Sequence, residues 1–176
     1  NRLAVEGGLT IPRALLDDEV REFVEERLEG LLDVPVEYVR AAHASAAADL
    51  GGVARLAESL HAERESAEFD GVYTAYDRAH RLAGKSAEEA ASEVDSGLLR
   101  EEAERALAEG LAKVAIDGDI RKALESGATL APLMERFFDE VLVMDEDEAV
   151  RANRLRLLLD VRDTLGRLGD FSQIPR

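Results

Sequence analysis

The sequence predicts an all-α, bundle-like domain, and three observations carry that prediction. Leu, Ala, Glu and Arg, all good helix formers, dominate the chain. Helix breakers and strand formers are scarce, with 4 Pro and aromatics at only 5%, so propensity favours helix almost throughout. Apolar residues also recur at intervals of three and four, the period of a helix with one buried stripe. A length of 176 residues is one domain by the usual prior and can bury a core without staples. At ordinary helix lengths that is about seven to nine helices in a single all-helical domain over 1–176.

Taken in order, residues 1–7 read as the last turn of a preceding helix, cut by Gly7 and Gly8, which marks the chain as a fragment of a longer protein. A helix opening at Asp17 and Asp18, both able to cap amides, sets Val20, Phe23, Val24, Leu28, Leu31 and Leu32 at helical spacing. A turn at 33–35 leads into a helix over 36–48, and Gly51 with Gly52 separates it from one over 53–68, with Leu56 and Leu60 inward. Such short links imply antiparallel neighbours. The next helix, 72–82, stops at Gly84. Residues 85–100 lose periodicity and read as a connector with a short helical piece. Helices over 101–116, ending at Asp117 and Gly118, then over 120–124, 130–141 and 146–168 complete the chain.

Charge and missing motifs remove most function classes. With 38 acidic against 22 basic residues the formal net charge is -16, a field that repels nucleic acid except at a local basic patch. There is no Cys, which excludes disulfides, zinc thiolates and cysteine catalysis. His43, His61 and His80 each lack a second His three or four residues away, so the HExxH and HxxEH zinc patterns are absent. Neither a GxxxxGK[ST] phosphate loop nor a GxGxxG fingerprint occurs. No apolar run approaches the roughly 18 residues of a membrane helix, and the start is neither basic nor signal-like. The expectation is a cytoplasmic, soluble domain with no membrane or DNA partner. The acidic run Asp145, Glu146, Asp147, Glu148 lacks the alternation and central Gly of a calcium loop and suits a first helical turn, where amides and dipole favour negative charge. Ser45, Ser66 and Ser86 have no His and Asp arrangement beside them, and Asp70, Asp77 and Asp95 cap, pair or face water. No catalytic, cofactor-binding or metal-binding residue is expected in this fragment.

Two helices have informative faces. In 72–82, Val72, Tyr76, Ala79 and Ala83 share one side, while Arg78, Arg81 and Lys85 stack on the other at spacings of three and four. That spacing suits a rail of RNA phosphates, with His80, Tyr73 or Tyr76 available to stack on bases; it equally suits a solvated face paired with Glu88 or Glu89. In the last helix Val150, Leu157, Leu158, Val161, Leu165 and Leu168 form an apolar arc, with Arg154 inside it and Arg151 and Arg162 at its edge. An arginine on the core side needs a partner. Asp139 or Glu140 supplies one in a structural reading; in the other reading Arg154 and Arg151 open into a ligand cleft.

Composition and spacing leave an acidic helical interaction module or a substrate-binding appendage of a larger enzyme. The stretch FFDEVLVMDEDEAVRANRLRLLLDVRDTL, followed by DFSQI, separates the two. It resembles the end of the beta subunit of bacterial, heterotetrameric glycyl-tRNA synthetases, whose pattern is FFDxVxVMxEDxxxRxNRLxLLxxxxxxFxxxxDxSxI. Phe137, Phe138, Asp139, Val141, Val143, Met144, Glu146, Asp147, Arg151, Asn153, Arg154, Leu155, Leu157, Leu158, Asp170, Ser172 and Ile174 match it. Upstream, FVEERLEGLL at 23–32 is similar to FxxERLxxLL, VEYVRAAHA at 36–44 takes the place of a DVIDAVLA-like helix, AYDRAHRLAGK at 75–85 that of AYKRxxNILKK, and VDSGLLREEAERAL at 94–107 that of VDxxLFxxxAExAL. Even RLAVEGGL at 2–9 looks like the tail of the family's preceding helix.

The resemblance implies a C-terminal anticodon-binding domain, all-helical and DALR-like, within an enzyme that joins glycine to its tRNA using ATP and Mg. It implies that aminoacylation lies elsewhere in the enzyme, and that glycine tRNA, the alpha subunit and the rest of the beta subunit are partners. The RNA-contact candidates are then Arg78, Arg81, Lys85, His80, Tyr73, Arg151, Asn153 and Arg154. The alternative is a non-catalytic module that docks another subunit or domain of the synthetase. Departures from the pattern bear on the residues: Asp77 stands where Lys is usual, which removes a phosphate partner and adds repulsion. His80 and Arg81 replace common amides, and Gly166 and Leu168 fall where the family often has bulkier or different residues.

Overall fold

The computed structural model describes residues 27, 30–45 and 50–176. The protein is all-α: the described residues form α1 (Val36–His43), α2 (Leu50–Glu63), α3 (Ala67–Ala83), α4 (Glu102–Leu111), α5 (Ile120–Ala128), α6 (Leu130–Glu140) and α7 (Glu148–Leu165), with 3-10 turns at Gly84–Glu89, Ser96–Leu98 and Phe171–Gln173. The helix end expected over 1–7 and the helix expected from Asp17 lie outside the described residues, save the latter's tail. There 30–34 is turn and bend, and Leu31, expected on the apolar face, is 76% exposed.

Several expected boundaries move, each for a local reason. Gly51 and Gly52 do not interrupt the chain but lie in the first turn of α2, where amides have no intrahelical partner and a glycine costs only backbone entropy. The first of these helices instead ends earlier, at His43, and the next break comes at 64–66 rather than 69–71, where the Ser66 hydroxyl accepts the Phe69 amide at 3.1 Å and starts α3 five residues before the expected 72. The end at Gly84 is as expected, since α3 stops at Ala83 with Gly84 capping it, but at φ -62° the glycine keeps helical angles and the backbone tightens into the 3-10 turn, departing from them at Ser86. α4 ends at Leu111 rather than 116. The Asp117 and Gly118 turn that follows uses φ +60° at Gly118, a value few other residues adopt.

The chain divides into two compact units, Asn1–Arg64 with Arg167–Arg176, and Glu65–Gly166. In the first, α1 packs on α2 and on the 3-10 turn Phe171–Gln173. The Asp170 amide donates to the Ala41 carbonyl at 2.9 Å and the Ser45 hydroxyl to the Arg167 carbonyl at 2.9 Å. These bonds satisfy carbonyls at the end of α1 and in the tail, holding the tail on the helix. Val39, Ala41, Ala57, Leu60 and Phe171 are buried.

In the second unit, α3 is the hub, packing on α7, α5 and α6, while α4 packs on α6 and α7. Gly71, Ala75, Ala79 and Ala83 repeat every four residues along α3, and the three alanines are fully buried. Small residues at that period let neighbouring helices come close. A Cβ on Gly71 would meet the Ala128 Cβ of α5 at 3.2 Å, nearer than ordinary contact. α7 is buried more widely than its predicted arc, since Leu155 and Leu159 join Val150, Leu157, Leu158, Val161 and Leu165. With polar Asn153 and Arg154 buried among these leucines and valines, α7 is the internal strut of this unit.

Candidate nucleic-acid interface

α7 begins where the acidic run caps it. The Asp147 carboxylate accepts the Ala149 and Val150 amides at 3.1 and 3.4 Å and pairs with Arg100 at 2.5 Å. Arg100 and the Val150 amide hold its pKa below the ordinary value. Asp145 accepts the Asp147 amide at 3.0 Å; that bond, then Arg154, likewise keeps its carboxyl low. The run is therefore a helix start, as its position predicts.

Arg154, one turn further in, is 3% exposed. Its Nε donates to Glu104 Oε1 at 2.8 Å, and its Nη1 to Asp145 Oδ2 at 2.7 Å and to the Leu142 carbonyl at 2.9 Å. Burial pulls its pKa down, and the two carboxylates more than offset that, so it is raised. Of the two readings of Arg154 the ion pair is the one present, but not with Asp139 or Glu140, which are both exposed. The partner is Glu104 of α4, itself fully buried, whose Oε2 also accepts the Glu101 amide at 2.6 Å and so closes the start of α4. Arg154 has no face left for RNA.

Asn153 is likewise committed. It is fully buried, and its amide donates to the Asp95 carbonyl at 3.0 Å while its Oδ1 accepts the Asp95 amide at 2.7 Å. That two-way clasp fixes the connector ahead of α4. Arg151 is 23% exposed and divides its donors between Glu89 at 3.4 Å and the Asp145 carbonyl at 2.8 Å. Three candidates from the last helix thus hold loops rather than face solvent.

The α3 candidates divide differently. Tyr73 is 8% exposed and Tyr76 5%, which removes both from base stacking. His80 is half-buried with its ring stacked on Tyr76 at 5.6 Å. Arg81 projects into solvent but donates to Asp77 at 2.8 Å, the acid that occupies the family's lysine position. Arg78 and Lys85 are exposed, and neither has a carboxylate within ion-pair range among the described residues. They are seven residues apart, about two helical turns and therefore on one side. The Arg78 guanidinium lies over the Phe138 ring of α6, 5.2 Å from its centroid. Spacing alone did not single out Phe138 or Glu104; both stood in the motifs compared above, with no role attached.

Among the described residues no group of His, Asp or Glu could hold a metal ion, and no helix is long and apolar enough to cross a membrane. Large apolar side chains exposed among them are Leu31, Leu142 and Met144.

The chain matches the model of the DALR anticodon binding domain over residues 72–171. It is 36% identical over 175 residues to the glycine–tRNA ligase beta subunit of Acidobacterium capsulatum, covering 89% of this chain and 25% of that one. The corresponding protein of Anaeromyxobacter dehalogenans is 34% identical over 175 residues, covering 94% and 25%. That of Clostridioides difficile is 33% identical over 167 residues, covering 89% and 24%. The chain thus spans about a quarter of the length of the curated relatives it matches. The family match over residues 72–171 and the 33–36% identity across about nine-tenths of the chain agree: the chain is a member of the DALR anticodon-binding domain family, homologous to a segment of glycine–tRNA ligase beta subunits.

Proposed function

We propose that this chain is the anticodon-region recognition module of a glycine–tRNA ligase, a cytoplasmic enzyme whose ATP- and Mg-dependent joining of glycine to tRNA takes place in other parts of the assembly. The observation that supports it is the pair Arg78 and Lys85, exposed and without a carboxylate partner among the described residues in a chain of net charge -16. Cations left unneutralised beside so many acids have a use in binding an anion, and backbone phosphates fit a spacing of about two turns. The surrounding negative charge rejects RNA that does not place its phosphates there. The alpha subunit and the remainder of the beta subunit are the protein partners in this reading. A pure docking role has less support, since Leu142 and Met144 are the exposed large apolar residues described in this unit, well short of the patch a stable interface needs.

Titration of the chain with glycine tRNA, beside the same tRNA carrying an altered anticodon, tests the reading across a series of salt concentrations. Tighter binding to the unaltered tRNA that weakens with salt is expected; equal affinity for both, or none for either, overturns it. Asp77→Lys is a second test. It removes the carboxylate that holds Arg81 and adds a cation on the same helix. Affinity should rise by about tenfold, with the salt slope steepening by roughly one to two units.

A further inference from the structure

Arg78 differs from Arg81, the other arginine of α3, in what lies beneath it. Arg81, less than one turn on, is neutralised by Asp77 at 2.8 Å. Arg78 instead has the Phe138 ring 5.2 Å from its guanidinium carbon. An aromatic face attracts a cation at that range through its quadrupole, yet leaves the full charge and the N–H donors available to something else. The ring is itself well held, edge-on to Phe137 with centroids 5.6 Å apart and planes at 87°. Phe137 is fully buried, whereas Phe138 is half-buried at the surface. The result is an exposed planar cation supported from one side by a fixed ring.

We infer that Arg78 and Phe138 form a stacking platform for one unpaired RNA base, in which Arg78 makes the contact and Phe138 positions it. Guanidinium planes are a recurrent surface for unstacked bases, and their edges still reach a phosphate. This rests on the RNA-binding reading above and goes beyond it by naming what Arg78 takes: a base, where phosphate contact alone would serve Lys85.

The test uses a glycine tRNA anticodon stem-loop in which each loop base in turn is replaced by an abasic site. It is titrated into the unmodified chain, Phe138→Leu, Phe138→Tyr, Arg78→Ala and the double variant Arg78→Ala with Phe138→Leu. One abasic position is expected to weaken binding to the unmodified chain by about tenfold. Phe138→Leu should weaken binding to the intact loop about fivefold and lose sensitivity to that position, Phe138→Tyr should keep both, and Phe138→Leu should cost nothing further in the Arg78→Ala background. A flat abasic series with binding intact, or an equal loss from Phe138→Leu when Arg78 is already absent, overturns the platform and leaves the RNA reading standing. Failure of the unmodified chain to bind any stem-loop overturns both. Thermal midpoints are read on every variant. Should Phe138→Leu lower its own, the surface change Arg78→Ala carries the same abasic test. An upfield ring-current shift of the Arg78 Nε–H, lost in Phe138→Leu, is expected without RNA, and its absence in the unmodified chain also overturns the platform.

Discussion

Glu104→Ala is expected to be the most damaging single substitution in the second unit, lowering stability by about 3–5 kcal/mol. The carboxylate is fully buried, and it makes two connections at once: one to Arg154 across the unit and one to the Glu101 amide that opens α4. Its removal leaves Arg154, 3% exposed, with only Asp145 for charge, and leaves the first turn of α4 with an unmet donor. The cost is that of an uncompensated buried charge rather than of a lost attraction. For the same reason, Glu104→Leu with Arg154→Met should recover a large part of the loss, since neither charge then needs a partner. Some deficit should remain, because Arg154 also satisfies the Leu142 carbonyl. Urea midpoints for the two single variants and the double one, at constant m, check this. A double variant no more stable than the worse single one contradicts it.

Acid should loosen the same corner. The carboxyls of Asp145 and Asp147 are held below their ordinary value of 3.8, so both bind protons more weakly folded than unfolded. Their contribution is complete above that value and is lost as pH falls through it toward the lowered folded values. The caps of α7 and the Asp145 arm of Arg154 weaken together in that window.

The fold class was legible because propensity and period agree along most of the chain, and the buried face of α3 followed directly, with Val72, Tyr76, Ala79 and Ala83 all inside. What spacing does not carry is the identity of a partner across the unit. Arg154 was readable as a buried cation from its place on the arc of α7. Glu104 was not readable as its anion, because 50 residues separate them and nothing periodic links α4 to α7. The nearer Asp139 and Glu140 satisfy proximity in sequence while pointing to solvent. Boundaries failed where a local cap decides them: the stretch around Ser66 is rich in helix formers on both sides, and the Ser66 hydroxyl's bond to the Phe69 amide starts a new helix there. The candidate site was half legible. Helical spacing finds the face that carries Arg78, Arg81 and Lys85, but whether a cation is already spent depends on a neighbour such as Asp77, and whether one is supported depends on a ring from another helix such as Phe138. The family motif added Asn153 to Arg151, which the apolar arc had already marked, without distinguishing a side chain that holds a loop from one that meets RNA.

Arg78→Glu with Lys85→Glu is expected to have the largest effect on RNA binding, lowering affinity for glycine tRNA by about 10- to 100-fold at physiological salt while costing no more than about 1 kcal/mol of stability, the size of the Arg78 contact with Phe138. Both side chains are exposed, and neither makes an ion pair whose loss would be felt in the fold. Each reversal removes one attraction to a phosphate and adds one repulsion, together about 2 kcal/mol at contact in water before screening. Arg81 and Arg151 do not replace these two cations, because they are held by Asp77 and Glu89. Two lost counterion-release contacts should also flatten the salt dependence by about 1.4–1.8 units of slope. Reversal at Arg136, paired with Glu140 on α6, is the control: it changes net charge equally per site, so a general electrostatic penalty lowers affinity there too. A loss confined to Arg78 and Lys85 with a shallower salt slope identifies phosphate contact at this face. An equal loss from Arg136→Glu, or an unchanged slope, means that the face of α3 is not where the RNA lies.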